Sequence, residues 1–351
     1  MKKFLSLFIL LCLLLCGCEY SIVLETQPAT SAPASGTEEL FVHFIDVGQA
    51  DCALIECGGE YLLIDGGNRD DAQLVVSYLQ QQGVELLNTV ICTHAHEDHV
   101  GGLPGVLAVY PTQRVLAPTK TYASTVFDDF LYYVDQQGLE VEIPTPGNVL
   151  RVGSAKVTIL GPVKSYADPN NTSIVCRLDF GDVSFLFTGD METEAENDML
   201  DYWGEKIRWD ADVLKVGHHG SNTSSGYRFL NAVNADYGLI SVGTDNDYGH
   251  PHEEPMSRFR QAGLTLFRTD EMGNVIAVTD GGGIVFTWEK QNALPENAEM
   301  AEKPIFIGNK NSKTFHSQFC GGLPGEKNRV EFKTYNQALD AGYKPCTNCL
   351  K

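Results

Sequence analysis

The sequence predicts an α/β fold for most of this 351-residue chain, followed by a small separate module. From residue 39 to 290, short apolar runs bounded by glycine alternate with amphipathic stretches, which is typical of sheets covered by helices. The hydrophobic content of 43% is sufficient for a packed core of that size. After a polar, acidic linker over 291–303, residues 304–351 are too few to form a large core of their own.

Residues 1–18 have the pattern of an export signal. Two lysines precede an apolar run that is too short to span a membrane, and the segment ends in Leu15-Cys16-Gly17-Cys18. This ending resembles a bacterial lipobox and implies lipidation of Cys18, whereas an uncleaved membrane anchor is the alternative. Residues 19–38 have the composition of a flexible tether. We therefore expect a protein that is lipid-anchored at Cys18 on the extracellular face of the bacterial cell membrane.

The elements of the main body follow in a regular order. The first three strands are expected within 40–48, 52–57 and 61–67, and apolar residues at helical spacing predict a helix over 71–82. The remaining expected elements are a strand at 88–92, helix and strand pairs within 103–109, 114–116 and 122–137, strands at 140–143, 155–160, 173–180 and 183–188, a helix at 193–202, a strand at 212–216, and further such pairs up to residue 288.

The strand at 88–92 leads into the segment Thr93-His94-Ala95-His96-Glu97-Asp98-His99. Side chains two residues apart in an extended segment point the same way, so His94 and His96 can bind one cation. Asp98 and His99 follow as the chain turns and can face a second cation. Imidazole and carboxylate together suit zinc or another divalent transition metal such as manganese, whereas a solvated polar loop is the alternative reading.

Two later strands also end in residues that can bind metal. The run over 183–188 is followed by Gly189-Asp190, which places Asp190 at the same sheet edge as a candidate bridge between two metals. A solvated turn aspartate is the alternative. The strand over 212–216 leads into His218 and His219.

The His-x-His-x-Asp-His segment resembles the signature of the metallo-β-lactamase superfamily, which implies a four-layer αββα sandwich. In the superfamily a histidine near position 218 completes the second metal site, for which we favour His218 over His219. Further blocks are Asp46-Val47-Gly48-Gln49-Ala50-Asp51, Asn170-Asn171-Thr172-Ser173, Thr188-Gly189-Asp190, Lys215-Val216-Gly217-His218-His219-Gly220-Ser221 and Tyr248-Gly249-His250-Pro251-His252. Together these blocks narrow the resemblance, over about residues 40 to 289, to the extracytoplasmic hydrolase domain of the ComEC DNA-uptake family.

The sequence departs from these families at two places. Ala50 stands where ComEC proteins usually have glycine. The segment between His99 and His218 contains no histidine, so the third first-site histidine of typical metallo-β-lactamases is missing. The resemblance does not include the channel segments of ComEC, which makes a separate DNA-uptake channel protein a candidate partner.

Besides metal ligands, the sequence offers candidate catalytic residues, namely Asp98, His219, His250 and Lys215. Lys215 could meet developing negative charge, although a lysine at a strand end can also extend outward into solvent. His250 lies in a loop beside Pro251, where it could protonate a leaving oxygen or contact phosphate. Asp65 follows an apolar strand, where it is either an acceptor that orients a ligand histidine or a turn residue.

The C-terminal module contains a His-x3-Cys and a Cys-x2-Cys motif. The ligands His316, Cys320, Cys346 and Cys349 fit one closed tetrahedral zinc site, and a disulfide from Cys346 to Cys349 or Cys320 is the alternative. The pattern resembles the zinc-binding domain of the Ada DNA-repair family, with His316 in place of a cysteine. This replacement argues against methyl transfer and favours a structural or DNA-docking role.

The resemblance implies a metal-assisted hydrolase that acts on phosphodiesters, with DNA as the expected substrate. One alternative substrate is a cell-wall phosphodiester such as a phosphorylcholine ester, and a non-enzymatic alternative is a metal-dependent DNA-binding lipoprotein. The formal charge of −21 argues against a broad electrostatic contact with nucleic acid. An anionic substrate must therefore be held locally, by metal ions and loop amides.

Overall fold

The computed structural model describes residues 38–290, 292–296, 306–317, 320, 322–332, 335–347 and 350, together with a two-residue strand near the N-terminus. The predicted signal segment with Cys18 and most of the predicted tether lie outside these residues. Among the described residues, no helix combines the length and the apolar character needed to cross a bilayer.

The strands of the main body form two large mixed sheets. The first sheet has the order β1-β16-β15-β2-β3-β4-β5-β6-β7, and the second has the order β14-β13-β12-β11-β10-β9-β8. In chain order the strands are β1 (Leu24–Glu25), β2 (Leu40–Phe44), β3 (Ala53–Cys57), β4 (Glu60–Ile64), β5 (Thr89–Ile91), β6 (Val115–Leu116), β7 (Val141–Glu142), β8 (Val149–Val152), β9 (Ala155–Gly161), β10 (Val175–Phe180), β11 (Val183–Phe187), β12 (Val213–Lys215), β13 (Tyr237–Ile240), β14 (Thr265–Arg268), β15 (Val275–Thr279) and β16 (Val285–Trp288).

Helices connect the strands, and the longer ones cover the outer faces of the sheets. The helices predicted over 71–82 and 193–202 correspond to α1 and α5. The helices of the main body are α1 (Ala72–Gln81), α2 (Glu97–Val100), α3 (Leu103–Val109), α4 (Thr125–Gln136), α5 (Thr193–Trp203), α6 (Tyr227–Val233), α7 (Glu253–Ala262) and α8 (Thr269–Met272).

Three hydrophobic cores separate four layers. Leu62 and Ile64 of β4 pack between the two sheets, whereas Leu63 packs against the helical layer of α1, α3 and α4. In β11, Phe185 faces the other sheet and Leu186 faces the layer of α5, α6 and α7. This alternation follows from the two-residue period of a strand, so a strand covered on both faces is apolar throughout. The four-layer αββα sandwich implied by the resemblance is therefore confirmed.

The predicted metal-binding segments all follow parallel strands. β4 and β5 run parallel in the first sheet, and β11, β12 and β13 run parallel in the second. β5 leads to the His94 segment, β11 leads to Asp190, and β12 leads to His218 and His219. Because the carboxyl ends of neighbouring parallel strands lie at one edge of a sheet, each sheet presents its polar residues at a single edge.

A close approach between two glycine pairs fixes the position of the His94 segment. The amide of Gly66 donates to the carbonyl of His99 (2.8 Å), and the amide of Gly102 donates to the carbonyl of Gly67 (3.1 Å). A Cβ atom on Gly102 would overlap the carbonyl oxygen of Gly66. The two backbone segments can therefore approach this closely only because neither carries a side chain.

The start of the predicted linker belongs to the edge of the second sheet. Leu266 of β14 and Glu296 exchange two backbone hydrogen bonds of 2.9 and 3.0 Å. The carboxylate of Glu296 also accepts a hydrogen bond from Arg268 (3.2 Å). The described residues 292–296 therefore belong to the main body, although the sequence placed them in the linker over 291–303.

The C-terminal module is a small sheet with the order β19-β17-β18-β20 and a helix beside it. Tyr227 of α6 packs against the core of the module, so the module rests on the main body. Its elements are β17 (Phe306–Asn309), β18 (Thr314–Ser317), β19 (Arg329–Phe332), α9 (Tyr335–Asp340) and β20 (Lys344–Pro345). Its buried core consists of Phe306, Phe315, Phe332, Ala338, Tyr343 and Leu350.

We expect Gly102→Ala to destabilise the protein by roughly 1–3 kcal/mol, because the added methyl group would force the His94 segment away from Gly66. The matched control is Gly325→Ala, where an added Cβ meets open space. Chemical denaturation followed by circular dichroism measures the free energy of unfolding of each variant. Equal stability of the two variants would contradict the close approach.

Candidate metal centre and active site

The carboxylate of Asp65, the residue after β4, holds the His94 segment in place. Its Oδ1 accepts a hydrogen bond from the Thr93 amide (2.7 Å), and its Oδ2 accepts hydrogen bonds from the Thr93 hydroxyl (2.7 Å) and His99 Nδ1 (2.8 Å). A carboxylate partner on Nδ1 leaves the Nε2 lone pair of His99 free for a metal. Asp65 therefore has the orienting role that the sequence suggested, and a φ of 59° aims it there.

The predicted first-site ligands His94 and His96 converge on one point. His94 Nε2 lies 3.1 Å from His96 Nδ1 and 3.9 Å from Asp190 Oδ2. Burial and the neighbouring His99 lower the pKa of His94 well below its usual value, so this imidazole is neutral and can act as a ligand. His94 thus lies next to both His96 and Asp190, but these three residues are not among the groups of described donors whose ligand atoms all lie within 4.8 Å of one another.

A second group of donors lies next to the first. The ligand atoms of Asp98, His99, Asp190 and His219 lie within 4.8 Å of one another. Asp190 Oδ1 is 3.2 Å from His99 Nε2, and His219 Nε2 is 3.3 Å from Asp98 Oδ2. Because Oδ2 of Asp190 faces His94 and Oδ1 faces His99, its carboxylate is placed as a bridge between two cation positions.

Unpartnered buried atoms show that the second group fits a metal ion. His99 Nε2, Asp190 Oδ1 and His219 Nε2 are buried and have no hydrogen-bond partner among the described residues. A buried polar group left without a partner costs about 1–3 kcal/mol, and these three converge on one point. Imidazole nitrogen and carboxylate oxygen are the donors that divalent transition metals accept. The residues of the second group therefore fit a divalent metal ion, with His94 and His96 beside them.

Charge pairing within the protein compensates for the buried carboxylates. Burial opposes ionisation of Asp190, but the imidazoles of His99 and His219 hold its pKa well below the usual value. Burial likewise opposes the charged form of both histidines, yet the carboxylates of Asp190 and its neighbours raise the pKa of His99 and the pKa of His219. Without metal, the cluster is therefore a carboxylate and imidazolium network.

The structure places His219, where the sequence favoured His218, in the second donor group. His219 is buried, and its Nδ1 donates to the carbonyl of Ser241 (2.9 Å), which turns Nε2 toward Asp98. His218 lies at the rim, with Nε2 3.6 Å from Asp190 Oδ2, so it faces the centre from outside that group. Both residues have left-handed φ values of 51° and 53°, and this backbone reversal determines which ring points inward.

Lys215, a candidate catalytic residue from the sequence, does not line the active-site cavity. Its Nζ lies 2.8 Å from Asp51 Oδ2 and donates to the carbonyl of Val216 (3.0 Å), and both charged side chains are less than a tenth exposed. The other oxygen of Asp51 is 3.4 Å from His219 Nδ1. Lys215 therefore pairs with a buried carboxylate behind His219, and its side chain does not extend into solvent.

The Asn170 to Ser173 block supports the first cation position. Ser173 Oγ lies 3.4 Å from His94 Nδ1 and accepts a hydrogen bond from the Asp190 amide (3.0 Å). Asn171 Oδ1 accepts a hydrogen bond from the amide of Glu192 (3.0 Å). The block thus orients the carboxylate and one imidazole of the centre by hydrogen bonds, in a region where other superfamily members are expected to supply a third histidine.

A cavity of about 400 Å³ opens onto the two donor groups. His250 lines it, with Nδ1 3.3 Å from Gln49 Nε2. Burial, followed by the neighbouring His219 and His218, lowers the pKa of His250 to about 4. At pH 7 this imidazole is therefore neutral. Of the two roles that the sequence suggested for His250, a neutral ring favours the contact with phosphate over protonation of a leaving oxygen. The lining residues are Gln49, Asn68, His96, Glu97, Asp98, Asn170, Asp190, His218, His219, Tyr248 and His250.

A separate donor group lies in the C-terminal module. The ligand atoms of His316, Cys320 and Cys346 lie within 4.8 Å of one another. β20 runs parallel to β18, and the amide of Cys346 donates to the carbonyl of Phe315 (2.9 Å), which brings Cys346 next to His316. These three residues form a candidate metal-binding group, and the predicted fourth ligand, Cys349, lies outside the described residues.

The family model described as "Metallo-beta-lactamase superfamily" matches residues 45–244, which is more than half of the chain. The chain therefore belongs to the metallo-β-lactamase superfamily.

Similar curated proteins narrow this assignment. ComE operon protein 3 of Bacillus subtilis (strain 168) is 28% identical over 253 residues, which cover 67% of this chain and 32% of that protein. Competence protein ComA of Neisseria gonorrhoeae is 30% identical over 259 residues, covering 70% and 34%. Hydroxyacylglutathione hydrolase of Aliivibrio fischeri (strain MJ11) is 25% identical over 190 residues, covering 46% and 71%. The chain spans about a third of the length of the first two proteins and is a metallo-β-lactamase-fold hydrolase related to competence proteins.

We expect Asp190→Asn to remove at least one of the two divalent ions of the main body, because an amide cannot bridge two cations. The matched control is Asp182→Asn, on an exposed turn before β11. Elemental analysis of the purified proteins measures the metal content, and circular dichroism verifies the fold. A wild-type metal content in folded Asp190→Asn would contradict the bridging role.

We also expect metal binding to release protons. The raised pKa values of His99 and His219 mean that, in the metal-free protein, both imidazoles carry a proton that a metal must displace. Affinity should therefore rise with pH, up to the raised pKa values. Titration calorimetry in buffers of different ionisation enthalpy counts the protons released. His250→Ala should leave this count unchanged, since His250 is already neutral, and a count near zero in the wild type would contradict the prediction.

Proposed function

We propose that this protein is a phosphodiesterase that uses two divalent ions, zinc or manganese, to hydrolyse DNA. The observation that carries the proposal is the carboxylate of Asp190, which spans two donor groups where a 400 Å³ cavity reaches them. The similarity to competence proteins supports DNA as the substrate. Such ions, when bound, lower the pKa of a water molecule and neutralise charge on phosphoryl oxygens.

The residues of the centre and of the cavity have separate roles in this proposal. His94, His96 and Asp190 would hold the first ion, and Asp98, His99 and His219 would hold the second together with Asp190. The amides of Gln49 and Asn68 and the imidazoles of His218 and His250 line the cavity, where they can donate hydrogen bonds to a phosphodiester and orient it.

We expect purified residues 39–351 to cleave an oligonucleotide and methyl p-nitrophenyl phosphate, to lose both activities after chelation, and to regain them with zinc or manganese. His96→Ala should lower kcat by at least about 100-fold, since it removes a ligand. Failure of the metal-loaded protein to hydrolyse either substrate would overturn the proposal. Hydrolysis of a phosphorylcholine ester with no cleavage of DNA would instead support the cell-wall substrate.

We further propose that the protein is anchored by a lipid on Cys18 at the extracellular face of the membrane and works with a separate DNA-uptake channel. The residues of 1–18 support this proposal by their resemblance to a lipobox. We expect Cys18→Ser to leave the protein in the soluble fraction or as an unprocessed precursor, because lipidation requires that thiol. Cell fractionation and mass spectrometry check this, and a mature lipidated Cys18→Ser protein would refute it.

For the C-terminal module we propose one structural zinc bound by His316, Cys320, Cys346 and Cys349, with a role in docking DNA. The three described donors support the metal, because a core of this size gains much of its stability from such an ion. Burial lowers the pKa of His316, so its imidazole is neutral and available as a ligand.

A further inference from the structure

The active-site cavity carries a ladder of aromatic rings that leads from a metal ligand to solvent. The ring of His250 stacks near that of His219, with centroids 6.3 Å apart and planes at 22°. Tyr248 continues the ladder on His250, with centroids 5.6 Å apart and planes at 21°. Tyr248 is 68% exposed, which leaves its ring available at the mouth of the cavity.

The loop that carries this ladder is held firmly. Asn246 Oδ1 accepts a hydrogen bond from the amide of His250 (2.9 Å), and Asn246 Nδ2 donates to the His250 carbonyl (2.7 Å). Gln49 joins the same loop to the first sheet, since its Oε1 accepts from the Gly243 amide (3.1 Å) and its Nε2 contacts His250. The exposed ring is therefore presented by ordered backbone, which lowers the entropic cost of stacking a ligand on it.

The charge of the cavity limits the kind of ligand that can use it. Among the described residues that line the cavity, none is lysine or arginine, and Glu97, Asp98 and Asp190 are acidic. The chain as a whole has a formal charge of −21. The lining therefore offers no basic side chain to a long run of phosphates. Only a diester bound at the metal centre would be attracted electrostatically, and any further binding affinity must come from uncharged contacts.

We propose that Tyr248 is a stacking platform for the nucleobase next to the scissile diester, which makes the substrate a single-stranded or unpaired nucleic acid segment. This inference rests on the proposed function. Ring-to-ring steps of 6.3 and 5.6 Å lead from His219 through His250 to Tyr248, so a strand held at the centre can bring one of its bases onto this ring. A base stacked on an aromatic ring must be unpaired from its own partner strand or splayed out, and such stacking tolerates any base.

The test compares an oligothymidylate with a matched oligomer whose nucleosides beside the scissile bond are abasic tetrahydrofuran residues. We expect wild-type kcat/KM to be roughly 5- to 100-fold higher for the base-bearing strand. Tyr248→Ala should reduce this ratio to near one, and Tyr248→Phe should restore it. The control variant Tyr132→Ala removes another exposed ring that does not line the cavity and should keep the wild-type ratio.

A merely structural role for Tyr248 would lower kcat/KM for both strands together, and an unchanged ratio in Tyr248→Ala would overturn the proposal. Binding of the same two strands to the metal-loaded protein, measured by fluorescence anisotropy, separates this result from failure of the proposed function. If no diester is hydrolysed but the base-bearing strand binds more tightly and Tyr248→Ala removes the difference, the proposed hydrolase function is wrong and the stacking role of Tyr248 is supported. Equal binding of both strands would overturn the platform.

Discussion

The carboxylate of Asp190 is the group on which the active centre depends. It is almost fully buried at the end of β11, and its two oxygens face histidines that follow β5 in the opposite sheet. A buried carboxylate is costly unless cationic groups surround it. In the metal-free protein the imidazoles of His99 and His219 supply that charge, and divalent ions can replace their protons. The two sheets are therefore joined at a position that binds either protons or metal.

Three of the four candidate metal-binding imidazoles of this centre are contacted at their other nitrogen. Asp65 accepts from His99, the carbonyl of Ser241 accepts from His219, and Ser173 lies beside His94. Such contacts fix ring orientation before a metal arrives, which reduces the entropy lost on binding. The buried pair of Asp51 and Lys215 belongs to the same support, because it places a neutralised carboxylate behind His219. The Lys215 side chain is thus directed at Asp51 and not into the cavity.

The sequence predicts the features that follow from strand periodicity. Apolar runs ending in His94, Asp190 and His218-His219 predict strands that carry these residues to a sheet edge, and the structure has such strands. The sequence placed Asp190 at the same sheet edge as the His94 segment, whereas Asp190 follows β11 in the second sheet and faces the His94 segment from across the sandwich. Features that depend on backbone reversal or on distant partners could not be read in the same way. The ring of His219 points inward because of two residues with left-handed backbone conformation. The Lys215 side chain points inward because it pairs with Asp51 from the first sheet. Residues 292–296 join the sheet edge because Glu296 bonds to backbone groups of β14.

The acidity of the protein also determines how a site of this kind can select a substrate. A formal charge of −21 repels polyanions, and at physiological ionic strength salt screens that repulsion beyond a Debye length of about 8 Å. On the proposed function, attraction for a phosphodiester would arise only from metal ions bound in the cavity, next to Asp98 and Asp190. Discrimination among anions would then depend on short-range contacts at the cavity mouth, where Tyr248 and His250 present aromatic surface. An acidic protein with a cationic centre would thus favour substrates that bring one phosphate and a flat, uncharged group.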